Sequence, residues 1–294
     1  MIPSIKCLHP LTVPNPNWNG SYNSAIDPKT FSVPCGKCEL CLSRKRAMWF
    51  FRLSVESNLA DSGYFVTLTY SPEHLPPSGH VEKRDCQLFI KRFRKYFAQR
   101  PDTASFRFKY FLVSEYGETF GRPHYHMLIF GNSSQRSHIV QALKECWKLC
   151  EPEMFDFPSA VAPITPASIN YVCKYTLNNL VLDDYDKRTF LLCSKGIGRD
   201  FLTPSMLDYL RKRIEGLAMI NGVRMPLPRY YRDVVYDDDM KFQMRIKQLE
   251  QYEQNVEKYF EDNYNSDRQR SEPLWRQELE HKAKIIRSKL KTFE

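Results

Sequence analysis

The sequence predicts an α+β protein built on an antiparallel sheet, and three groups of residues carry this prediction. Residues 64–70 alternate with period two and are dense in β-branched and aromatic side chains, which is typical of a strand. Residues 84–99 repeat apolar side chains at helical spacing behind an outer row of basic residues. Two further strands follow at about 108–115 and 124–131, joined by a glycine-containing loop.

The elements after these strands complete the predicted order. A helix over about 139–147 is followed by an extended stretch over about 155–164. Thr165 as N-cap and Pro166 in the first turn then begin another helix. The order β-α-β-β-α-β-α predicts a split βαβ sheet of the ferredoxin or RRM type with flanking helices.

The chain also divides into regions of different composition. Residues 1–60 hold a Cys-rich N-terminal arm and a basic helix, and residues 61–235 hold the predicted sheet. Residues 236–294 have mixed charges and no sustained heptad, so we expect a charged helical C-terminal extension.

Composition narrows the function classes. With 294 residues and 42% hydrophobic content the chain can fill a core, and a net charge of +9 favours a polyanionic partner such as nucleic acid. We expect no membrane partner, because no window approaches about 18 uncharged apolar residues and the first residues lack a signal-peptide pattern. The odd count of nine cysteines suits a reducing compartment, so we expect a cytoplasmic protein.

Two histidines at the start of an apolar strand form the sharpest motif. His124 and His126 lie two residues apart, so a strand presents both imidazoles on one face. Glu115 ends the preceding strand and reaches the same end of the sheet. Two imidazoles and one carboxylate suit Mg²⁺ or Mn²⁺ acting on a phosphodiester. Taken alone, the same histidines could simply bond to backbone groups beside a surface carboxylate.

Two tyrosines lie one turn apart on the helix that follows Thr165. On a period of 3.6 residues Tyr171, Lys174, Tyr175 and Asn178 share one face, which we expect to stay open while the apolar face docks. A tyrosine hydroxyl, with a pKa of about 10, needs help from a nearby ammonium and a polarised phosphate to attack at neutral pH. The alternative is two tyrosines at a helix surface.

These motifs together resemble the HUH endonucleases, and within them the rolling-circle replication initiators of microviruses, especially the gokushovirus branch. The resemblance covers residues 35 to about 231. Residues 65–70 resemble the family's first motif, 123–126 its histidine motif and 171–175 its nucleophile motif. The resemblance implies the HUH endonuclease fold.

The resemblance also implies roles for individual residues. His124, His126 and Glu115 would hold the divalent metal, and Tyr171 and Tyr175 would alternate as nucleophiles in cleavage and strand joining. The products would be a 5′-phosphotyrosine and a free 3′-OH that primes the host polymerase. The implied partners are single-stranded viral DNA at the replication origin and the host replication machinery, in the cytoplasm of a bacterial host.

The two tyrosines differ in one respect. Tyr171 has Lys174 at the third following position, whereas Tyr175 has Asn178 where related two-tyrosine initiators often have a second lysine. We therefore expect Tyr171 to attack first, assisted by Lys174. Single-stranded DNA is expected to lie across the sheet, held by basic and polar side chains. The candidates are Arg122, Thr67, Thr69, Lys91 and Arg94.

A cysteine cluster precedes the basic helix. Cys35, Cys38 and Cys41 supply three thiols in seven residues, and Cys7 could be a fourth ligand brought back by the arm. Four thiols suit a closed, structural zinc site, although free reduced cysteines are common in cytoplasmic proteins. A similar cysteine-rich opening occurs in the gokushovirus initiators that the chain resembles.

Two other function classes remain compatible with the sequence. A relaxase or single-strand transposase shares the metal and tyrosine chemistry, and a transfer operon around the gene in place of a circular phage genome would indicate it. A non-catalytic, zinc-stabilised nucleic-acid-binding protein would fit the charge and the cysteines equally well. Metal-dependent cleavage of an oligonucleotide would exclude that class.

Overall fold

A computed structural model describes residues 7–15, 18, 29–117, 119–132, 135–175, 189–244 and scattered positions from 246 to 285. Asn178 and most of the predicted C-terminal extension lie outside the described residues. The chain divides into two units, residues 49–201 and residues 1–48 with 202–294. No helix in the described part of the chain is long and apolar enough to cross a bilayer.

The helices and strands follow in chain order. They are β1 (Leu11–Pro14), β2 (Thr30–Val33), α1 (Glu39–Leu59), β3 (Ser62–Leu68), α2 (Lys83–Ala98), β4 (Phe108–Tyr116), β5 (Pro123–Gly131), α3 (Arg136–Cys146), β6 (Val161–Pro163), α4 (Pro166–Tyr175), β7 (Leu191–Cys193), α5 (Pro204–Arg213), β8 (Leu217–Ile220), β9 (Val223–Pro226) and α6 (Arg229–Val235). The predicted α+β class is confirmed, and β3 to α4 follow the predicted order.

A five-stranded antiparallel sheet forms the centre of the unit 49–201. Its order is β6-β3-β5-β4-β7, so β5 lies between β3 and β4. The register sets Thr67 opposite His126 and Glu115 opposite His124. Side chains alternate between the two faces of each strand, so this register decides which residues can meet on one face.

One face of the sheet carries the larger apolar core. Phe89, Phe93 and Phe97 recur at helical spacing on α2 and are buried against it, together with α3. Trp147 follows α3, is fully buried, and donates its indole N–H to the Thr69 carbonyl at 2.7 Å. This hydrogen bond satisfies the one polar group that the indole brings into the core.

The opposite face of the sheet packs against α4 and the second half of α1. Leu128 on β5 lies in a core cluster with Leu53 of α1 and Val172 and Cys173 of α4. The histidines share this face with Leu128, because they precede it on β5 by two and four residues. The core on this side therefore holds α4 above the histidine strand.

A reciprocal cap fixes the start of α4. The Ser168 amide donates to the Thr165 hydroxyl at 3.1 Å, and the Thr165 amide donates to the Ser168 hydroxyl at 2.9 Å. Both bonds satisfy amides that have no partner within the helix, as in a capping box. The predicted N-cap at Thr165 is confirmed.

The unit formed by residues 1–48 and 202–294 contains two small antiparallel pairs, β1 with β2 and β8 with β9. Asn221 and Gly222 connect β8 to β9 with φ values of 49° and 76°. Thr203 caps α5, since its side chain accepts a hydrogen bond from the Met206 amide. The sequence reasoning predicted none of these elements.

Leu128→Ala should destabilise the protein by about 2–5 kcal/mol, because a fully buried leucine leaves a cavity between the sheet and α4. Leu59→Ala is the matched control, since Leu59 is 56% exposed and its loss should change stability by less than about 0.5 kcal/mol. Urea denaturation followed by circular dichroism measures both. Equal effects of the two substitutions would contradict this account of the core.

Candidate metal and tyrosine site

Three ligand-type side chains converge at the end of β4 and β5. The Glu115 carboxylate oxygen Oε2 lies 2.8 Å from His126 Nε2 and 3.5 Å from His124 Nε2. One ligand atom from each residue lies within 4.8 Å of the others. Glu115 and His126 are buried and His124 is half-buried. The structure thus brings together the three residues that the sequence singled out as metal ligands.

Hydrogen bonds from outside this triad orient both imidazoles. His124 Nδ1 lies 3.2 Å from the Arg122 carbonyl, which can only accept, so Nδ1 carries the proton and Nε2 keeps its lone pair. His126 Nδ1 lies 3.2 Å from the Thr67 hydroxyl. Metal-binding histidines are commonly held in this way through their other nitrogen. Both Nε2 atoms face Glu115, and the donor set fits a divalent cation.

The pKa shifts agree with that assignment. Burial alone would raise the pKa of the Glu115 carboxyl, but hydrogen bonds and charge from the histidines outweigh it and hold the pKa at about 2. Burial lowers the pKa of His126 despite the neighbouring carboxylate. At His124 burial also opposes the charged form, but Glu115 prevails and raises the pKa. Glu115 is therefore anionic and His126 neutral at pH 7, as metal ligation requires.

Tyr171 lies directly beside the triad. Its hydroxyl is 3.5 Å from Glu115 Oε2 and 3.4 Å from His126 Nε2, and its side chain is 37% exposed. Phe65 supports both groups, because its ring stacks on His126 at 5.3 Å and meets Tyr171 edge-on at 6.1 Å. The sequence reasoning missed Phe65 as part of the site, although its strand parity with Thr67 would have placed it there.

Tyr175 and Lys174 correct one expectation. The tyrosine face of α4 was expected to stay open, but Tyr175 is 6% exposed and Lys174 is 8% exposed. Burial, reinforced by Tyr171 and Glu115, raises the pKa of Tyr175 far above its usual range. The Lys174 ammonium lies 5.6 Å from the Tyr175 ring centroid. The face is covered because α4 lays it on the histidine end of the sheet, where the Tyr175 and His126 rings are 6.0 Å apart.

The predicted DNA contacts lie in different places. Lys91 and Arg94 are exposed on α2, whose apolar side packs on the sheet face opposite the triad, so the structure does not bring them to the site. Arg122 is exposed beside His124, and its guanidinium donates to the Tyr70 carbonyl at 3.0 Å. Thr67 contacts His126 instead of solvent alone, and Thr69 is half-buried just after β3.

A second group of ligand-type residues lies in the other unit. The sulfurs of Cys7, Cys35, Cys38 and Cys41 all lie within 4.8 Å of one another, and none of them forms a disulfide. Amide hydrogen bonds from Lys37 and Cys38 lower the pKa of the Cys35 thiol to about 6, whereas burial raises that of Cys41 to about 12. The four predicted cysteine ligands are therefore together, in an arrangement that could hold a metal ion.

Comparisons with known proteins agree with these observations. A family model of the replication-associated proteins, described by its ORF2 members, matches residues 63–180, which include the triad and both tyrosines. Replication-associated protein VP4 of Bdellovibrio phage phiMH2K is 30% identical over 222 residues, which cover 69% of this chain and 67% of the relative.

Two other relatives are similar over the same share of the chain. Replication-associated protein ORF2 of Spiroplasma virus 4 is 29% identical, over 68% of this chain and 66% of the relative. Replication-associated protein ORF4 of Chlamydia phage 1 is 26% identical over 70% of this chain, and the match spans 54% of that relative. None of the solved structures is a significant match.

His126→Ala should remove divalent-cation binding at the triad, because His126 supplies the buried nitrogen that lies closest to Glu115. Titration of purified protein with Mn²⁺, followed by the paramagnetic resonance of the free ion, measures the loss. His138→Ala is the control, since this half-buried histidine lies on α3 away from the triad. Unchanged Mn²⁺ binding in His126→Ala would rule out the site.

Thr67→Val should weaken Mn²⁺ binding by about 10–100-fold, because the hydroxyl that orients His126 is lost while the side-chain volume is kept. Thr67→Ser retains the hydroxyl and should bind Mn²⁺ as the unmodified protein does. Isothermal titration calorimetry distinguishes the two. Equal affinities of the valine and serine variants would show that Thr67 does not support the ligand.

Proposed function

The chain belongs to the family of phage replication-associated proteins, and from that premise we propose that it is a rolling-circle replication initiator that nicks single-stranded DNA with Tyr171. The family membership confirms the resemblance to microvirus replication proteins that the motifs indicated. We further infer the HUH endonuclease fold, which the antiparallel sheet and the pair of histidines on its central strand support.

One observation carries the proposal. The Tyr171 hydroxyl lies within 3.5 Å of two atoms of a Glu-His-His triad, and more than a third of its side chain is exposed. A tyrosine that served only as packing would not need an accessible hydroxyl beside a buried anionic carboxylate. Contacts of this length are long for hydrogen bonds, as is common in catalytic sites without substrate.

The residues of the triad would hold one Mg²⁺ or Mn²⁺ through His124 Nε2, His126 Nε2 and a Glu115 oxygen. A divalent cation at such a site supplies Lewis-acid polarisation of a phosphodiester oxygen. Glu115 brings a negative charge that offsets part of the cation's charge, and Arg122 and Thr67 keep both imidazoles in the ligating tautomer.

Tyr171 would act as the nucleophile. Its oxygen forms a bond to the scissile phosphorus as the bond from phosphorus to the 3′ oxygen breaks, which yields a 5′-phosphotyrosine and a free 3′-OH. Attack requires the reacting atoms to be about 3–3.5 Å apart and in line, so the position of Tyr171 beside the triad is the geometric requirement. Glu115 Oε2, at 3.5 Å from the hydroxyl, is the acceptor closest at hand for its proton in the absence of DNA.

Tyr175 is placed for a later step. Its ring lies 4.9 Å from that of Tyr171, but it is buried and its raised pKa disfavours the phenolate. We propose that Tyr175 serves strand transfer once DNA has occupied Tyr171. Lys174, whose ammonium lies over the Tyr175 ring, would favour the charge that develops on this tyrosine when it reacts.

The proposed substrate is single-stranded viral DNA at the replication origin, in the cytoplasm of a bacterial host. Arg122 is the predicted DNA contact closest to the triad, since its own carbonyl bonds to His124. Lys91 and Arg94 would contact DNA only beyond the cleaved bond, because they lie on the other side of the sheet. The released 3′-OH would be extended by the host replication machinery.

Tyr171→Phe should abolish the covalent protein–DNA adduct, because no other described hydroxyl is both exposed and beside the triad. We expect a loss of at least about a thousandfold, as for removal of other catalytic nucleophiles. The assay incubates purified protein with fragments of single-stranded phage DNA and Mn²⁺ and resolves adducts by denaturing electrophoresis.

Tyr209→Phe is the matched control, since Tyr209 is 46% exposed on α5 and should leave adduct formation unchanged. Tyr175→Phe should still form the adduct but fail to join strands. Adduct formation by Tyr171→Phe at the unmodified rate, with the DNA mapped to Tyr175, would reverse the assignment. A lack of metal-dependent cleavage in every variant, including the unmodified protein, would refute the nuclease proposal itself.

A further inference from the structure

The cysteine cluster, defined as Cys7, Cys35, Cys38 and Cys41, has the dimensions of a metal site. All four sulfurs lie within 4.8 Å of one another, and those of Cys7 and Cys38 are 3.7 Å apart. Four sulfurs placed tetrahedrally at about 2.3 Å from a zinc ion are roughly 3.8 Å apart. A disulfide would need about 2.05 Å, and all four thiols are free.

The backbone around the cluster is arranged to receive negatively charged sulfur. The Cys35 amide donates to Cys7 Sγ at 3.1 Å, and the Leu8 amide donates to Cys38 Sγ at 3.4 Å. The amides of Lys37 and Cys38 donate to Cys35 Sγ at 3.4 and 3.3 Å. Such N–H to sulfur bonds stabilise thiolates and orient them as ligands.

Local conformation explains how two short spacings place their sulfurs together. Gly36 adopts a φ of 76°, which glycine reaches without strain and which turns the chain between Cys35 and Cys38. Cys41 lies in the first turn of α1, and the Leu42 amide donates to the Cys38 carbonyl at 2.9 Å. The two sulfurs therefore meet at the start of the helix, where its dipole favours anions.

Apolar packing alone does not account for the cluster. Besides the cysteines, only Leu8 and Leu40, both partly buried, pack against it among the described residues. A patch of this size buries little surface, and small substructures with little core are commonly held by a metal or by disulfides. Four thiols on two chain segments that are 28 residues apart in sequence need such a link.

We propose that Cys7, Cys35, Cys38 and Cys41 bind one zinc ion that fastens the N-terminal arm to the start of α1. Thiolate sulfur selects zinc over Mg²⁺ or Mn²⁺, so the two groups of ligands in this chain take different metals. Four protein ligands close the coordination sphere, and the ion is structural, with no position open to substrate. This proposal does not depend on the nuclease proposal.

Elemental analysis of the full-length protein, purified without chelator, should find about one zinc per chain, as expected for one closed site. Cys38→Ser should lose that zinc. Cys193→Ser is the matched control, because Cys193 is a half-buried free cysteine on β7 and should leave the zinc in place. His126→Ala should also keep the zinc, which separates this site from the triad.

A second measurement on the unmodified protein covers the case in which Cys38→Ser fails to fold. Protein expressed with Co²⁺ should show the thiolate-to-cobalt charge-transfer bands of a tetrahedral sulfur site, and a mercurial reagent should release the metal. Absence of zinc and of cobalt bands, disulfides within the cluster on mass spectrometry, or zinc lost with His126→Ala and kept with Cys38→Ser would each overturn the proposal. None of these outcomes bears on DNA cleavage by Tyr171.

Discussion

The antiparallel ladder between β4 and β5 is the constraint on which the site depends. It sets Glu115 directly opposite His124, and period-two alternation adds His126 on the same face. A shift of the ladder by one residue would turn both imidazoles into the apolar core beneath α2 and α3. The register is specified because Leu128 and Phe130, further along β5, must be buried under α4. The apolar half of the strand therefore determines where its polar half points.

Helix α4 adds the nucleophile to this frame, and the same burial explains why the two tyrosines differ. The helix presents Val172 and Cys173 to the core and Tyr171 and Tyr175 to the histidine end of the sheet. Tyr171 lies nearer the helix start and stays partly exposed, whereas Tyr175 is enclosed. Two residues with the same chemistry and helical spacing thus acquire different accessibility from their positions along one helix, and burial raises the pKa of the enclosed one.

Much of the sheet and of the site could be predicted because the signals are local. Strand alternation, helical periodicity and the Thr165 cap are readable from neighbouring residues, and the triad follows from strand parity. The burial of Tyr175 and the far position of Lys91 were not predictable, because both depend on which sheet face each helix covers. The β8–β9 hairpin was missed although Asn221-Gly222 is a typical signal for a tight turn with positive φ. The short edge strand β7 carries too few residues for a period to be read.

The hydrogen bond from His124 to Arg122 has a consequence for how such a site can diverge. The acceptor is a main-chain carbonyl, which the Gly117 amide also uses at 2.9 Å, so the hairpin itself supplies the support for the ligand. A substitution at position 122 changes the side chain and leaves that carbonyl in place. The chemistry at this position is thereby separated from the residue identity that meets the nucleic acid. Relatives of this chain are free to retune sequence preference here without disturbing the imidazole, whereas position 67, which supports its histidine through a side chain, carries no such freedom.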